Sequence, residues 1–261
     1  MGTIYMKRAV ITGPTGSIGI ALINELEANG IEVVAVVRPG SKRADRIKES
    51  SLVKCVKCDL SNLDKLPELI PDGADVFYHF GWDGTFGDSR NNMKGQNLNV
   101  KYALDAVEAA SKLGCKTFVG AGSQAEYGRF EGKLNGSTPT FPENGYGIAK
   151  LCAGQMTRIM CQQKGIKHIW TRILSIYGPY DGEKTMVMST IDRLLKGEVP
   201  SCTKGEQMWD FLYSKDAALA MRLLGEKGID GKIYCIGSGQ ARPLKEYINI
   251  MGESIDSTIQ I

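Results

Sequence analysis

An alternating α/β chain wound around one parallel sheet is the fold class this sequence predicts. Three observations carry it. Short apolar runs of strand length alternate with segments of helical period. The runs are apolar at consecutive positions, as in strands covered on both faces. A turn with regularly spaced glycines follows the first run and opens the first helix.

The elements follow in order. Arg8–Thr12 reads as a strand, Ser17–Asn29 has helical period, and Glu32–Val37 is a nearly continuous apolar run. Val53–Cys58, Val76–Phe80, Thr117–Ala121 and His168–Ile173 are further short strands, with helices at Leu98–Leu113 and Tyr146–Gln163 between the later ones. After about Ser175 the rhythm changes. Met186–Lys196 and Asp216–Leu224 read as helices, and Lys232–Ile236 as a strand returning to the main sheet. Residues 1–174 are therefore expected to form the sheet domain, and 175–261 a smaller portion packed against it. No repeat or long linker interrupts the chain.

Composition bounds the function classes. The 261 residues amount to a little under two domains at roughly 150 residues each. Hydrophobic residues make up 43% and charged residues 23%, which is ordinary globular usage. A net charge of +3 is too small to argue for nucleic acid. No apolar run approaches the roughly 18 residues of a membrane helix. The opening Met1–Gly13 runs straight into a strand pattern, so no signal peptide is expected, and Met6 stands where a myristoylation site at Gly2 wants Ser or Thr. Seven scattered cysteines suggest a reducing compartment, the cytoplasm by default.

The turn Gly13-Pro14-Thr15-Gly16-Ser17-Ile18-Gly19 matches the chemistry of a dinucleotide fingerprint. The first glycine serves the tight turn, the second lets backbone N–H groups approach a pyrophosphate, and the third lets the helix pack closely. The helix N-terminus adds positive potential for the anion. The sheet is thus expected to be Rossmann-type and doubly wound. At the end of the second strand, an acidic residue would read a ribose 2′-hydroxyl and an Arg a 2′-phosphate. Val37 cannot accept those hydrogen bonds, whereas Arg38, followed by Ser41, Lys42 and Arg43, offers a guanidinium fork. NADP is favoured, with NAD as the alternative.

Tyr146 and Lys150 stand four apart, on one face of a helix. A free phenol titrates near pKa ~10, and a neighbouring ammonium would bring it nearer a working range. Ser123 falls at the carboxyl end of the fifth strand, where open α/β sheets bind ligands, and could hold a carbonyl oxygen.

With these residues assembled, the chain resembles the extended short-chain dehydrogenase/reductases, in their nucleotide-sugar epimerase, dehydratase and reductase branch. The resemblance covers nearly the whole chain. It rests on the Gly13/Gly16/Gly19 turn, Cys58-Asp59-Leu60, His79-Phe80-Gly81, Asn99-Val100, Ser123 with Tyr127-Gly128, and Tyr146/Lys150. Arg172 through Tyr177-Gly178-Pro179, and Asp210 to Tyr213 before Asp216, complete it. It implies a catalytic trio of Ser123, Tyr146 and Lys150. It also implies an adenine flanked by Asp59 and Leu60, Phe80 and Gly81 beside the cofactor, and a homodimer formed through two helices of each subunit.

Departures from the family pattern narrow the expectation. The Asp-Glu pair that dehydratases carry after the catalytic residue is Gln124-Ala125 here, and the acidic strand-end residue usual in epimerases is Val37. The leading reading is an NADP-dependent reductase of a 4-keto nucleotide-linked sugar, and the alternative an NAD-dependent nucleotide-sugar 4-epimerase. A catalytically idle NADP-binding protein is a third reading, against which the intact trio argues. Trp209 stands where the family usually has an Arg facing the substrate diphosphate, so that either Arg172 or Arg242 holds it or the chain is shorter than a full member; Trp82, where a small residue is usual, would narrow the site. Substrate contacts are expected from Trp82, Gln124, Arg172 and Trp209. No metal is expected, because Cys55-x-x-Cys58 has no second pair and lies in a strand whose i and i+3 residues face opposite ways. His79 and His168 read as core residues.

Overall fold

A computed structural model describes residues 5–198 and 203–255. The Met1–Gly2 segment and the end of the chain at Ile261 lie outside them. The first half alternates β1 (Arg8–Thr12), α1 (Ser17–Ala28), β2 (Glu32–Val37), β3 (Val53–Lys57), the single turn α2 (Leu66–Leu69) and β4 (Val76–His79). Then come α3 (Met93–Lys112), β5 (Thr117–Ser123), α4 (Gly145–Lys164) and β6 (Lys167–Ile173). The remainder holds β7 (Ser175–Tyr177), α5 (Met186–Leu195), β8 (Met208–Trp209), β9 (Phe211–Tyr213) and α6 (Ser214–Lys227), followed by β10 (Ile233–Ile236), β11 (Arg242–Pro243) and α7 (Leu244–Ile255).

Seven strands form one sheet in the order β10-β6-β5-β4-β1-β2-β3, every neighbour parallel. The order reverses between β1 and β4, so a crevice opens at their carboxyl ends, where doubly wound sheets bind ligands. Strand residues alternate between two cores. Ile11, Val33, Ala35 and Tyr78 face the side of α1 and α6, while Val10, Val34, Phe77 and Phe118 face the side of α3. The fold class read from the sequence is the one observed.

Both long helices start earlier than their apolar period suggests, because asparagines cap them. The Asn92 carboxamide oxygen accepts the Gly95 N–H at 3.2 Å, and that of Asn144 accepts the Gly147 N–H at 2.9 Å. Gly165, at φ +68°, ends α4 in the left-handed conformation that suits glycine. The three-residue pair β7–β9, the two-residue pair β8–β11 and helix α7 carry no pattern the sequence reading recognised.

Candidate active site

The glycine turn sits directly against the segment that follows β4. A side chain at Gly13 would meet the Phe80–Gly81 backbone at 2.7 Å, and Gly13 itself has φ +67°. At Gly19 a Cβ would meet the carbonyl oxygens of Pro14 and Gly13 at 2.6 and 2.7 Å, so the third glycine packs on the turn rather than on the sheet. Gly16 differs. Its nearest neighbour on that side is the Gly13 oxygen at 3.9 Å, leaving space above the turn. The Ser17 hydroxyl beside it is buried without a hydrogen-bond partner. These two residues border a cavity of about 590 Å³. An open glycine, an unpartnered hydroxyl and a helix N-terminus on one cavity fit the diphosphate of a dinucleotide.

The other expected cofactor residues surround this turn. Ile18 packs on the core and Thr15 offers its carbonyl outward to Arg46. The Gly81 N–H donates to the Thr12 hydroxyl at 3.2 Å, and Leu60 lies against Gly81. The Asp59 carboxylate accepts from the Ser61 N–H and hydroxyl, which lowers its pKa, helped by the charge of Arg38. Arg38 itself is exposed, and Arg43 reaches the cavity beside Gly16.

Ser123 ends β5 and caps a single turn over Gln124–Glu126; its hydroxyl accepts the Ala125 N–H, and the Glu126 carboxylate accepts the Ser123 N–H at 2.8 Å. Tyr146 lies close enough for the Ser123 hydroxyl to draw its pKa down, although burial raises it overall. Two cations lie over its ring, Arg90 at 4.8 Å and Lys150 at 5.8 Å from the centroid. The hydrogen bond of Lys150 goes elsewhere than to the phenol. Its ammonium donates to the Ala121 carbonyl at 2.6 Å and sits 3.7 Å from the centroid of the Trp82 ring. Burial dominates the Tyr146 pKa and raises it, with Ser123 and Arg90 offsetting part of that rise. Burial in turn brings the Lys150 pKa down to about 7, against a partial upward pull from Glu126.

Trp82 is anchored by its indole N–H to Gln96 Oε1 at 2.9 Å and meets Tyr146 edge to face at 6.2 Å. Gln124 and Trp209 converge on Ser175, whose hydroxyl oxygen accepts the Trp209 indole N–H at 2.8 Å and the Gln124 amide at 3.4 Å. Arg172 does not join them. It is 3% exposed, donates from Nε to Glu126 at 3.0 Å and from Nη1 to the carbonyls of Gly136 and Thr138. Its placement among the substrate contacts is therefore corrected: this guanidinium neutralises a buried carboxylate. The sequence reading missed Arg90 and Glu126. Ser123 and Glu126 have the spacing of a capping box, a signal that could have found the latter; nothing local marks Arg90. His79 and His168 are buried and bonded to Thr12 and Thr157, and burial lowers their pKa values to about 3 and about 4.

Comparison with known proteins places this arrangement among related chains. Residues 9–237 match the model of the NAD dependent epimerase/dehydratase family. The chain is 26% identical over 262 residues to the Arabidopsis thaliana trifunctional UDP-glucose 4,6-dehydratase/UDP-4-keto-6-deoxy-D-glucose 3,5-epimerase/UDP-4-keto-L-rhamnose-reductase; that alignment covers 94% of this chain and 39% of the plant protein. The chain thus spans about two fifths of that relative, as it does of a second Arabidopsis protein so described (41%). It is 28% identical over 245 residues to the dTDP-6-deoxy-L-talose 4-dehydrogenase (NAD(+)) of Aggregatibacter actinomycetemcomitans, covering 90% of this chain and 86% of that one. The UDP-glucose 4-epimerase of Thermotoga maritima, solved with UDP-glucose, superposes with a TM-score of 0.84 at 21% identity, over 97% and 84% of the two chains.

Proposed function

We infer the activity of this chain from its kinship: it belongs to the NAD dependent epimerase/dehydratase family of nucleotide-sugar enzymes. Within that family we propose an NADP-dependent reductase of a 4-keto nucleotide-linked deoxysugar. The observation that carries the choice is the surroundings of Ser123. Gln124 and Ala125 cannot exchange protons as carboxylates do, and Glu126, the next acid along the chain, is fully buried against Arg172 and Trp170. Elimination of water, which needs a free acid/base pair beside the sugar, lacks its groups here. The relative from Aggregatibacter is a 4-dehydrogenase of a 6-deoxy sugar nucleotide, which is a 4-keto reduction run backwards.

The dinucleotide would lie along Gly13–Gly19, Asp59–Leu60 and Phe80–Gly81, with Arg38 and Arg43 toward a 2′-phosphate. When bound, it supplies the hydride. In this reading the residues of the chain do the rest. Ser123 donates a hydrogen bond to the sugar carbonyl oxygen and holds it beside the Tyr146 phenol. Tyr146 delivers the proton from its Oη as negative charge grows on that oxygen. Lys150 leaves Trp82 and Ala121 to hold the nicotinamide ribose and the phenol, and Arg90 already favours the phenolate. Trp82, Gln124 and Trp209 border the sugar. Ile148, Met156 and Ile159 leave an exposed apolar stripe on α4 beside Leu98 of α3, fit for a second copy of the chain.

The test is incubation of the purified chain with a dTDP- or UDP-linked 4-keto-6-deoxyhexose and NADPH. Stoichiometric loss of NADPH with formation of the 4-hydroxy sugar supports the reductase. Dinucleotide that co-purifies with the chain, together with interconversion of UDP-glucose and UDP-galactose, would establish the epimerase instead.

A further inference from the structure

Arg46, in the short turn after β2, touches two segments distant in sequence. Its Nη1 donates to the Thr15 carbonyl of the glycine turn at 3.2 Å and to the Tyr180 carbonyl, beyond β7, at 3.4 Å. The guanidinium also lies 5.2 Å from the centroid of the Tyr180 ring. Tyr180 has φ +64°, the one non-glycine residue with positive φ among the described residues. An L side chain holds that conformation only where its surroundings impose it, and such residues concentrate at ligand clamps and switches.

These contacts bridge the cavity already described. Its lining combines Gly16, Ser17, Arg43 and Arg46 with the 180–185 segment. That segment is braced from within: the Asp181 carboxylate accepts the Gly182 N–H at 2.7 Å and the Thr185 hydroxyl at 2.9 Å. Among the described residues, Arg46 supplies its hydrogen bond to the glycine-turn side of the cavity. The hydrogen bonds of Arg46 to those residues use Nη1, which leaves Nε and Nη2 as donors for an anion in the cavity it lines with Gly16 and Ser17.

We propose that Arg46 and Tyr180 form a clasp over the diphosphate of the bound dinucleotide, so that the 180–185 segment closes the cofactor cavity and governs the rate at which the dinucleotide leaves. The inference rests on the proposed reading that the chain binds NAD(P). It adds a retaining contact that is indifferent to the 2′-phosphate, because the diphosphate is common to both dinucleotides.

Stopped-flow displacement of NADH and of NADPH from the full chain, followed by nicotinamide fluorescence, tests it. Arg46→Ala, which loses the ring contact and the charged hydrogen bonds, should speed dissociation of both dinucleotides by on the order of tenfold, and Tyr180→Ala, which keeps its backbone carbonyl and loses only the ring, by about two- to fivefold. The double variant should be no faster than Arg46→Ala, since that substitution already removes the ring contact. Tyr180→Phe keeps the ring and the carbonyl and should match the parent. Unchanged off-rates in both alanine variants would overturn the clasp, as would an effect confined to NADPH, which would make Arg46 a 2′-phosphate ligand. Tyr180 is 44% exposed, so its alanine variant serves even if Arg46→Ala fails to fold. A parent chain that binds neither dinucleotide would overturn the proposed function and the clasp together; a binding parent with insensitive variants sinks the clasp alone.

Discussion

Replacing Arg172 by Met should destabilise the protein severely while leaving the surface of the site unchanged. The Glu126 side chain is 0% exposed and that of Arg172 4%, with 3.0 Å between them. Removing one member of such a pair costs about 3–5 kcal/mol, because the other charge stays buried without its partner. The Ser123 N–H at 2.8 Å and the Trp170 indole N–H at 3.0 Å still reach Glu126, which places the expected loss near the lower end. For a chain of this size each kcal/mol moves Tm by about 2–4 °C, so a fall on the order of 6–12 °C is expected. Burial already raises the Glu126 pKa, and loss of the arginine raises it further. A carboxyl with a raised folded pKa contributes stability at low pH and loses it as pH climbs through that value. The deficit of Arg172→Met should therefore be smallest near the acid end of the stable range and grow toward neutrality. Thermal melts across pH measure this, and adding Glu126→Gln should recover much of the loss. If Arg172→Met melted within about 2 °C of the parent and instead raised KM, the buried-pair reasoning would be refuted in favour of a substrate contact.

Four further outcomes are expected. Tyr146→Phe should lose kcat by about 10²–10⁴-fold with little change in NADPH affinity, measured by NADPH consumption and equilibrium fluorescence. Lys150→Met should raise Tm of the dinucleotide-free chain most at and below about pH 7, with the gain shrinking toward the ordinary lysine pKa of 10.5. A folded pKa lowered to about 7 makes the parent chain gain stability as pH rises through that window, and the variant lacks the slope. Arg38→Ala should weaken NADPH by about ten- to a hundredfold and spare NADH, as titration of both would show. Ile148→Glu and Met156→Glu, 53% and 45% exposed in the single chain, should convert a dimer to a monomer in light scattering, without lowering Tm of the monomer.

Much of the sheet was legible because parallel strands buried on both faces leave unbroken apolar runs such as Glu32–Val37, and the glycine turn marks where β1 hands over to α1. The pairs β7–β9 and β8–β11 were not legible. Two- and three-residue strands have no period, and their partners lie more than 30 residues away. In the site, the order Ser123, Tyr146, Lys150 could be read along the chain, but the direction of the Lys150 ammonium could not. It depends on the Trp82 indole, carried by the segment just after β4. Arg172 misled for a related reason. A lone arginine at a strand end suggests an anion outside the protein, and only the fold brings Glu126 beneath it.

Trp170 carries a consequence for how this sequence can change. Its indole fills a slot walled by Gly120 and Gly122 of β5 and Gly154 of α4; a methyl group at Gly154 would meet the ring at 2.7 Å, and one at either of the others would come closer still. Four positions on three elements thus behave as one heritable unit. Enlarging any of the glycines is harmful while the tryptophan remains, and shrinking the tryptophan alone opens a void. A lineage can leave this arrangement only through a weakened intermediate or by coordinated replacement. Random libraries of single substitutions should therefore find these sites closed, whereas libraries that pair Trp170→Leu with Gly120→Ala or Gly154→Ala should find a second, separate solution.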